Sequence, residues 1–368
     1  MKRSQSIIVL LVVLTVAAFQ PRPQPLGVGQ RLELGLADKG AAPAELFHTQ
    51  TGEVAVIPIK LAPHDWMADS PEEIEYVTLD GTWKQLRPER TFECDYRITY
   101  IIFQRLADGR LGLLGDCFRI APQRGATYLL AHDEAQQTTE LLVPEMLPID
   151  IAGWASWDPT LTRAIVNFGR LYSGMYWIDA AGAAAPVTAT IQADGKRFSL
   201  ETAFVAYLQH REVVERTGNA KAPVWSPDGS TIAFFASVAA INREGMDRIR
   251  SDRWVLCLMD ARTQAIRVAL NPVYGVTIPR WSSDGRFLAL SGRLGAHGPK
   301  GVWVYAVANG ATRLIAEGEF GNILWSADDQ AIYAIRYHDK NYRREQTEVW
   351  RYEVGAVLSA LNNDNAAR

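Results

Sequence analysis

The chain has 368 residues, 48% of them apolar and 21% charged, which supports a packed core and excludes general disorder. A formal net charge of −3 excludes nucleic acid as a partner of the chain as a whole, so any charge-driven binding must be local. The three cysteines, Cys94, Cys117 and Cys257, show no metal-type spacing. Cys94 and Cys117 flank neighbouring strands and could pair in an oxidising compartment; the alternative is three small buried hydrophobes.

Lys2 and Arg3 precede an apolar run from Ile7 to Phe19, followed by Gln20-Pro21-Arg22-Pro23. That run has the length of a signal-peptide core and is short for a span of about 20 residues. Residues 1–25 are therefore expected to be an export signal with small residues at Val16-Ala17-Ala18, or an uncleaved membrane tether through residues 7–19. Either way the folded part is expected outside the cytoplasm, periplasmic or extracellular. Residues 26–44, rich in Pro, Gly and Ala, are expected to form a flexible arm, residues 45–355 a β domain and residues 356–368 a tail.

From Ala44 onward strand signals dominate. Glu45 to Lys60 with Ile74 to Leu86 suggests a first group of strands. Arg97 to Phe103, Arg110 to Cys117, Thr127 to His132 and Thr138 to Val143 suggest a second, with Asp108-Gly109 as a hairpin turn. Trp157 to Phe168 then opens a unit that returns as Trp225 to Phe234, Trp281 to Leu290 and Trp325 to Ala334. Each copy has an aromatic residue, a polar turn and a run of β-branched and aromatic residues, which is the pattern of a tight hairpin. Met175 to Asp179, Trp254 to Asp260 with Ile266 to Leu270, Gly301 to Val307 with Thr312 to Ala316, and Val349 to Val354 supply the later strands of the groups. A period of roughly 45–55 residues fits one four-stranded propeller blade per repeat, so the expected fold is all-β, a propeller of six four-stranded antiparallel blades. Trp157 to Trp225 spans 68 residues against 44 for Trp281 to Trp325. Ser199 to Thr217 fills the excess with Leu200, Phe204, Leu208 and Val214 at helical spacing, and is expected to be an inserted helix; an extra strand over Phe198 to Leu208 is the alternative.

The turn chemistry of the clearest copy is explicit. Pro227 presets φ at the first corner, Asp228 can bond local backbone, and Gly229 takes the positive φ that closes the turn. Trp225 is expected to pack between neighbouring blades. This Trp-Ser-Pro-Asp-Gly unit followed by Ile-Ala-Phe resembles the TolB-like family of six-bladed propellers and the propellers attached to prolyl-oligopeptidase-type hydrolases. The resemblance is good over Trp225 to Glu353 and fair from Trp154. It implies a propeller and leaves function open.

No Gly-x-Ser-x-Gly elbow is present, which excludes a peptidase of the oligopeptidase type, and no Gly-rich phosphate loop occurs. The segments before the marker tryptophans, Ile151 to Ser156, Ala222 to Val224, Thr277 to Arg280 and Gly321 to Leu324, hold no Asp, Glu or His, so no metal centre or other cofactor is expected from them; the first two blades could still offer Glu93, Asp95 or Asp116. His48, His64, His132, His210, His297 and His338 stand at no ligand spacing and are expected to be surface or hydrogen-bonded histidines. No catalytic residue is expected.

Placing every marker hairpin at one end puts the loops between second and third strands on the opposite face. These loops, Phe168 to Gly174, Ser237 to Asp252, Ser291 to Lys300 and Arg336 to Gln346, carry ten cations against five acids. Arg243, Arg248, Arg250, Arg293, Lys300, Arg336, Lys340, Arg343 and Arg344 are the candidate binding residues of an electropositive face for an anionic cell-envelope ligand or an acidic protein. The expected function is that of a monomeric extracytoplasmic binding module. The alternative is a propeller enzyme of lactonase or glycan-cleaving type with its site at the channel mouth.

Overall fold

The structure, a computed structural model, describes residues 25–60, 73–89, 98–119, 124–143, 152–168, 174–200, 220–237, 253–338 and 347–366. It is all-β with one α-helix among these residues, and its strands form four-stranded antiparallel sheets in a propeller-like arrangement. The first strand, β1 (Val28–Leu32), pairs far along the chain; β2 (Ala41–His48), β3 (Val54–Lys60), β4 (Ile74–Thr78) and β5 (Trp83–Leu86) pair in order. Next come β6 (Ile98–Arg105), β7 (Leu111–Arg119), β8 (Arg124–Asp133) and β9 (Thr138–Leu141), then β10 (Ala152–Trp157), β11 (Arg163–Phe168), β12 (Met175–Asp179) and β13 (Ala184–Pro186). A two-stranded hairpin follows, β14 (Thr190–Ala193) with β15 (Lys196–Ser199). The remaining strands are β16 (Ala220–Trp225), β17 (Thr231–Ser237), β18 (Arg253–Asp260), β19 (Ile266–Tyr274), β20 (Arg280–Trp281), β21 (Phe287–Leu294), β22 (Lys300–Ala306), β23 (Thr312–Glu317), β24 (Glu319–Trp325), β25 (Ala331–Tyr337) and β26 (Thr347–Glu353), then helix α1 (Gly355–Ala366).

The expectation of six separate blades is corrected. Four sheets are separate four-stranded units, while β16 to β23 form one eight-stranded sheet. β19 runs on to Tyr274, four residues beyond the expected end, and pairs with β21 at Val273 with Leu294 and Tyr274 with Arg293. Gly292, at φ +139°, permits this approach, since a Cβ there would lie 2.6 Å from the Tyr274 carbonyl oxygen. Nothing in the local pattern of either strand announces such an edge-to-edge join.

The reason for stacked sheets is legible in β17. Ile232, Ala233, Phe234, Phe235 and Ala236 are all buried. Ala233 and Phe235 join Leu256 and Leu258 in one core, whereas Ile232, Phe234 and Ala236 join Val255, Cys257 and Met259 in another. A strand with period-2 side chains that is apolar on both faces must be covered on both, so each sheet lies between two cores. β21 divides the same way, Phe287 and Ala289 to one side, Leu288 and Leu290 to the other.

Two further expectations change. The segment expected to be a flexible arm contains β1, which pairs antiparallel with β26 from Val28 opposite Glu353 to Leu32 opposite Val349. It thereby supplies the outer strand of the sheet otherwise made of β24 to β26, tying early to late chain and capping the unpaired edge of β26. The expected C-terminal tail is largely α1, whose Val357, Leu358 and Leu361 are buried against Phe287, Val304 and Tyr352. The inserted helix falls mostly on residues 201–219, outside the described residues; its first expected residue, Ser199, ends β15. Among the described residues no helix is long and apolar enough to cross a membrane. Cys94 also lies outside them, and Cys257 is a buried free thiol with its pKa raised by burial, as a small core hydrophobe would be.

Candidate functional site

The turns between first and second strands build one mouth of the molecule. In the Trp225 copy Gly229 has φ 70°, the Ser226 hydroxyl donates to Asp228 Oδ1 at 2.6 Å and accepts the Thr231 amide at 2.9 Å, and Asp228 accepts the Ser230 amide at 3.0 Å. These bonds hold the Asp228 carboxyl below the usual range, as the equivalent ones do for Asp284 and Asp328. In the Trp325 copy Asp329 occupies the positive-φ position at 57° in place of glycine. In the Trp157 copy Asp158 takes over the serine position, accepting the Thr162 amide at 2.9 Å, and Leu161 carries the positive φ.

A chain of side-chain hydrogen bonds ties the first strands around this mouth. The Arg105 Nε donates to the Gln50 carbonyl at 2.9 Å, and Gln104 Oε1 accepts from the Ser156 hydroxyl and the Trp157 amide. Ser156 Oγ accepts from the Trp225 amide at 3.2 Å, and Trp281 Nε1 donates to the Val224 carbonyl at 3.1 Å. Trp325 Nε1 donates to the Arg280 carbonyl at 2.8 Å, and His48 Nε2 donates to the Trp325 carbonyl at 2.9 Å. Trp281 and Trp325 are thus packing residues with a second task, latching one first strand to the next, whereas the Trp157 Nε1 meets no partner among the described residues. Trp225 packs instead beside Trp177, with Arg163 against both rings at 4.9 and 5.0 Å.

Inside this ring lies a cavity of about 460 Å3. Its walls include Trp154, Trp157, Trp281, Leu46 and Phe103, and its polar groups include His48, Arg105, Asp158, Arg280 and Asp329. Asp158 is committed to its own turn, and Asp329 accepts from the Ser283 amide and hydroxyl at 2.8 and 2.5 Å. Burial lowers the His48 pKa and the fields of Arg280 and Arg105 add to that, so the imidazole is neutral near pH 7. Arg280 is pulled down to about 10 by burial, with Glu45 opposing, and stays protonated. Lys221, further along β16, donates to the Val276 carbonyl at 3.2 Å and lies 4.2 Å over Trp254. Among the described residues no group of three or more His, Cys, Asp or Glu could hold a metal ion. Glu93 and Asp95 lie outside the described residues, and Asp116 belongs to β7, the second strand of its sheet, where it stands opposite Thr99 of β6.

Of the nine expected binding residues, Arg243, Arg248, Arg250, Lys340, Arg343 and Arg344 lie outside the described residues. Arg293, Lys300 and Arg336 stand at the other end of their strands, away from the marker turns: Arg293 faces Lys300 where β21 meets β22, and Arg336 faces Glu348 near the end of β25. Arg293 lies 4.6 Å over Tyr274, Arg336 lies 5.3 Å from Trp350 and 5.9 Å from Phe320, and Lys300 pairs with Glu319 at 2.5 Å. Sequence reasoning misses the opposite mouth because its important cation, Arg280, sits in an innermost segment where the absence of acids is the more visible feature. The signal was present as an arginine in an otherwise uncharged first strand.

No protein-family model and no curated protein matches the chain. The chain is similar to solved structures at low identity. TolB from Acinetobacter baumannii is 12% identical, with 76% of this chain covering 59% of that one at a TM-score of 0.46. An oligogalacturonate lyase from Vibrio parahaemolyticus is 9% identical over 90% of this chain and 98% of that one at a TM-score of 0.45. A luciferin-regenerating enzyme is 11% identical over 89% and 95% at a TM-score of 0.45. The propeller-like fold described above rests on the chain's own sheets.

Proposed function

We propose that the protein is an extracytoplasmic binding module that engages an anionic envelope ligand or an acidic protein through the loop face opposite the marker turns. In this reading the eight-stranded sheet is two blades fused at their edges, so that six blade-sized units present loops to that face. The supporting observation is how its described guanidinium groups are held. Arg293 and Arg336 rest on the rings of Tyr274, Trp350 and Phe320, and neither is in ion-pair contact with a carboxylate among the described residues. A cation stacked on a ring keeps its charge available to a partner, and seven further Arg and Lys residues of the sequence, besides Lys300, belong to loops of the same set. The enzyme alternative would need acid groups free at the opposite mouth, where Asp158 and Asp329 are spent on turn hydrogen bonds.

The test is capture from an envelope extract at low and high salt, with Arg336→Glu/Arg343→Glu/Arg344→Glu as the variant and its melting curve as the folding control. Salt-sensitive capture lost in the folded variant is the expected result. Capture indifferent to salt and to the triple change removes the loop face from consideration.

A further inference from the structure

The mouth cavity contains a cation that the architecture does not explain. The backbone carbonyl of Arg280 serves the ring by accepting from Trp325, but its side chain is held by the face of Trp154, 5.1 Å from guanidinium carbon to ring centre. Its Nε is sealed from solvent and has no hydrogen-bond partner, and among the described residues no carboxylate is in ion-pair contact with the group. Glu45 acts on it through its field. An arginine kept for stability is normally met by a carboxylate or by carbonyls on its donor edges, because a sealed N–H without an acceptor has lost its water and gained nothing. An unmet donor edge beside a cavity marks a place where a ligand can complete the structure.

The surroundings say which ligand. Asp158 and Asp329 face the cavity with their oxygens already used, and His48 is neutral with its Nε2 proton given to Trp325. The two carboxylates keep their charges against Arg280 and Arg105, and among the described residues the cationic donor left without an acceptor is the Arg280 Nε. The half-buried Arg280 guanidinium, its Nε sealed, offers a planar fork matched to a carboxylate. The rest of the cavity is walled by indole rings, and its volume of about 460 Å3 suits a small molecule.

The geometry points to a binding site for a small organic carboxylate with an apolar body, the carboxylate on Arg280 and the body against Trp154, Trp157 and Trp281. The site lies at the opposite end from the basic loop face and does not depend on it. Ligand entry would supply the missing acceptor for Arg280, so affinity and the stability of the mouth are coupled.

Phenylacetate and its uncharged counterpart phenylacetamide test this on the full chain, with saturation-transfer NMR and tryptophan fluorescence as readouts. Saturable binding of phenylacetate, at least about tenfold tighter than phenylacetamide, is expected for a charge-assisted pair. Arg280→Met should abolish that preference and leave phenylacetamide and the melting temperature unchanged; Arg280→Lys should retain part of the preference. Equal binding of acid and amide by the unmodified chain overturns the proposal, as does the absence of saturation by roughly 10 mM phenylacetate, the weak limit of such a pair. A lower melting temperature in Arg280→Met with parallel loss of both ligands would make Arg280 a packing residue and overturn it too.

Discussion

The two ends of the molecule are built by different means. At the marker-turn end, side-chain oxygens and indole N–H groups are aimed at backbone: Ser282 Oγ accepts the Phe287 amide at 3.0 Å, Trp281 and Trp325 reach the carbonyls of the preceding first strand, and Asp329 reaches Ser283. At the other end the described cations are held by aromatic faces and by one exposed ion pair, Lys300 with Glu319. Backbone-directed bonds at buried sites fix geometry, because leaving any of them unmet costs desolvation. Surface ion pairs and ring stacking fix little and leave charge available. The first end suits a shaped pocket and the second an adaptable surface.

Removing a single hydroxyl should show the contrast at its largest. Ser282 is fully buried and both donates to Asp284 and accepts from Phe287. Ser282→Ala should cost about 1–3 kcal/mol in denaturant unfolding, with the m-value unchanged. A loss below a few tenths would mean that the turn holds without its side-chain bonds and would erase the difference between the ends.

Acid should weaken the turn end through His48. Its folded pKa lies below the unfolded value of 6.5, so its contribution is complete above that value and is lost as pH falls through the window beneath it. His132, buried at its own hairpin, carries the same sign. His48→Gln keeps a donor for the Trp325 carbonyl and removes one titration. Its melting temperature should therefore fall less than that of the unmodified chain between pH 7 and pH 5.5, and equal falls would assign the acid sensitivity elsewhere.

The smallest effect is expected at the opposite end. Lys300→Ala breaks an ion pair whose side chains are 41% and 27% exposed. It should change stability by about 0–1 kcal/mol and lose even that at high salt. A cost matching that of Ser282→Ala would show both ends to be equally fixed.

The strand plan was legible because its causes are local. Gly229 and Asp228 close a turn through their own φ and hydrogen bonds, and the doubly apolar run Ile232 to Ala236 requires cover on both faces whatever surrounds it. The Trp157 copy was recognisable with its turn altered, although the transfer of the serine task to Asp158 was not, since only the folded turn shows which oxygen reaches the Thr162 amide. The basic loop face could be read from sequence as charges, yet Arg293 and Arg336 owe their setting to rings on other strands, Tyr274 and Trp350, which spacing along the chain does not connect.

What the sequence determined by itself was therefore the all-β class, the hairpin repeat and the sidedness of its loops, all set by interactions within a few residues. Tertiary structure decided the rest. The strand at Val28–Leu32 formed because β26 offered it an unpaired edge, and β19 fused to β21 because Gly292 let Tyr274 approach. Arg280, one charge in an uncharged strand, became a half-buried cation at a pocket because strands distant in sequence closed around it, and desolvation is a property of the assembled ring.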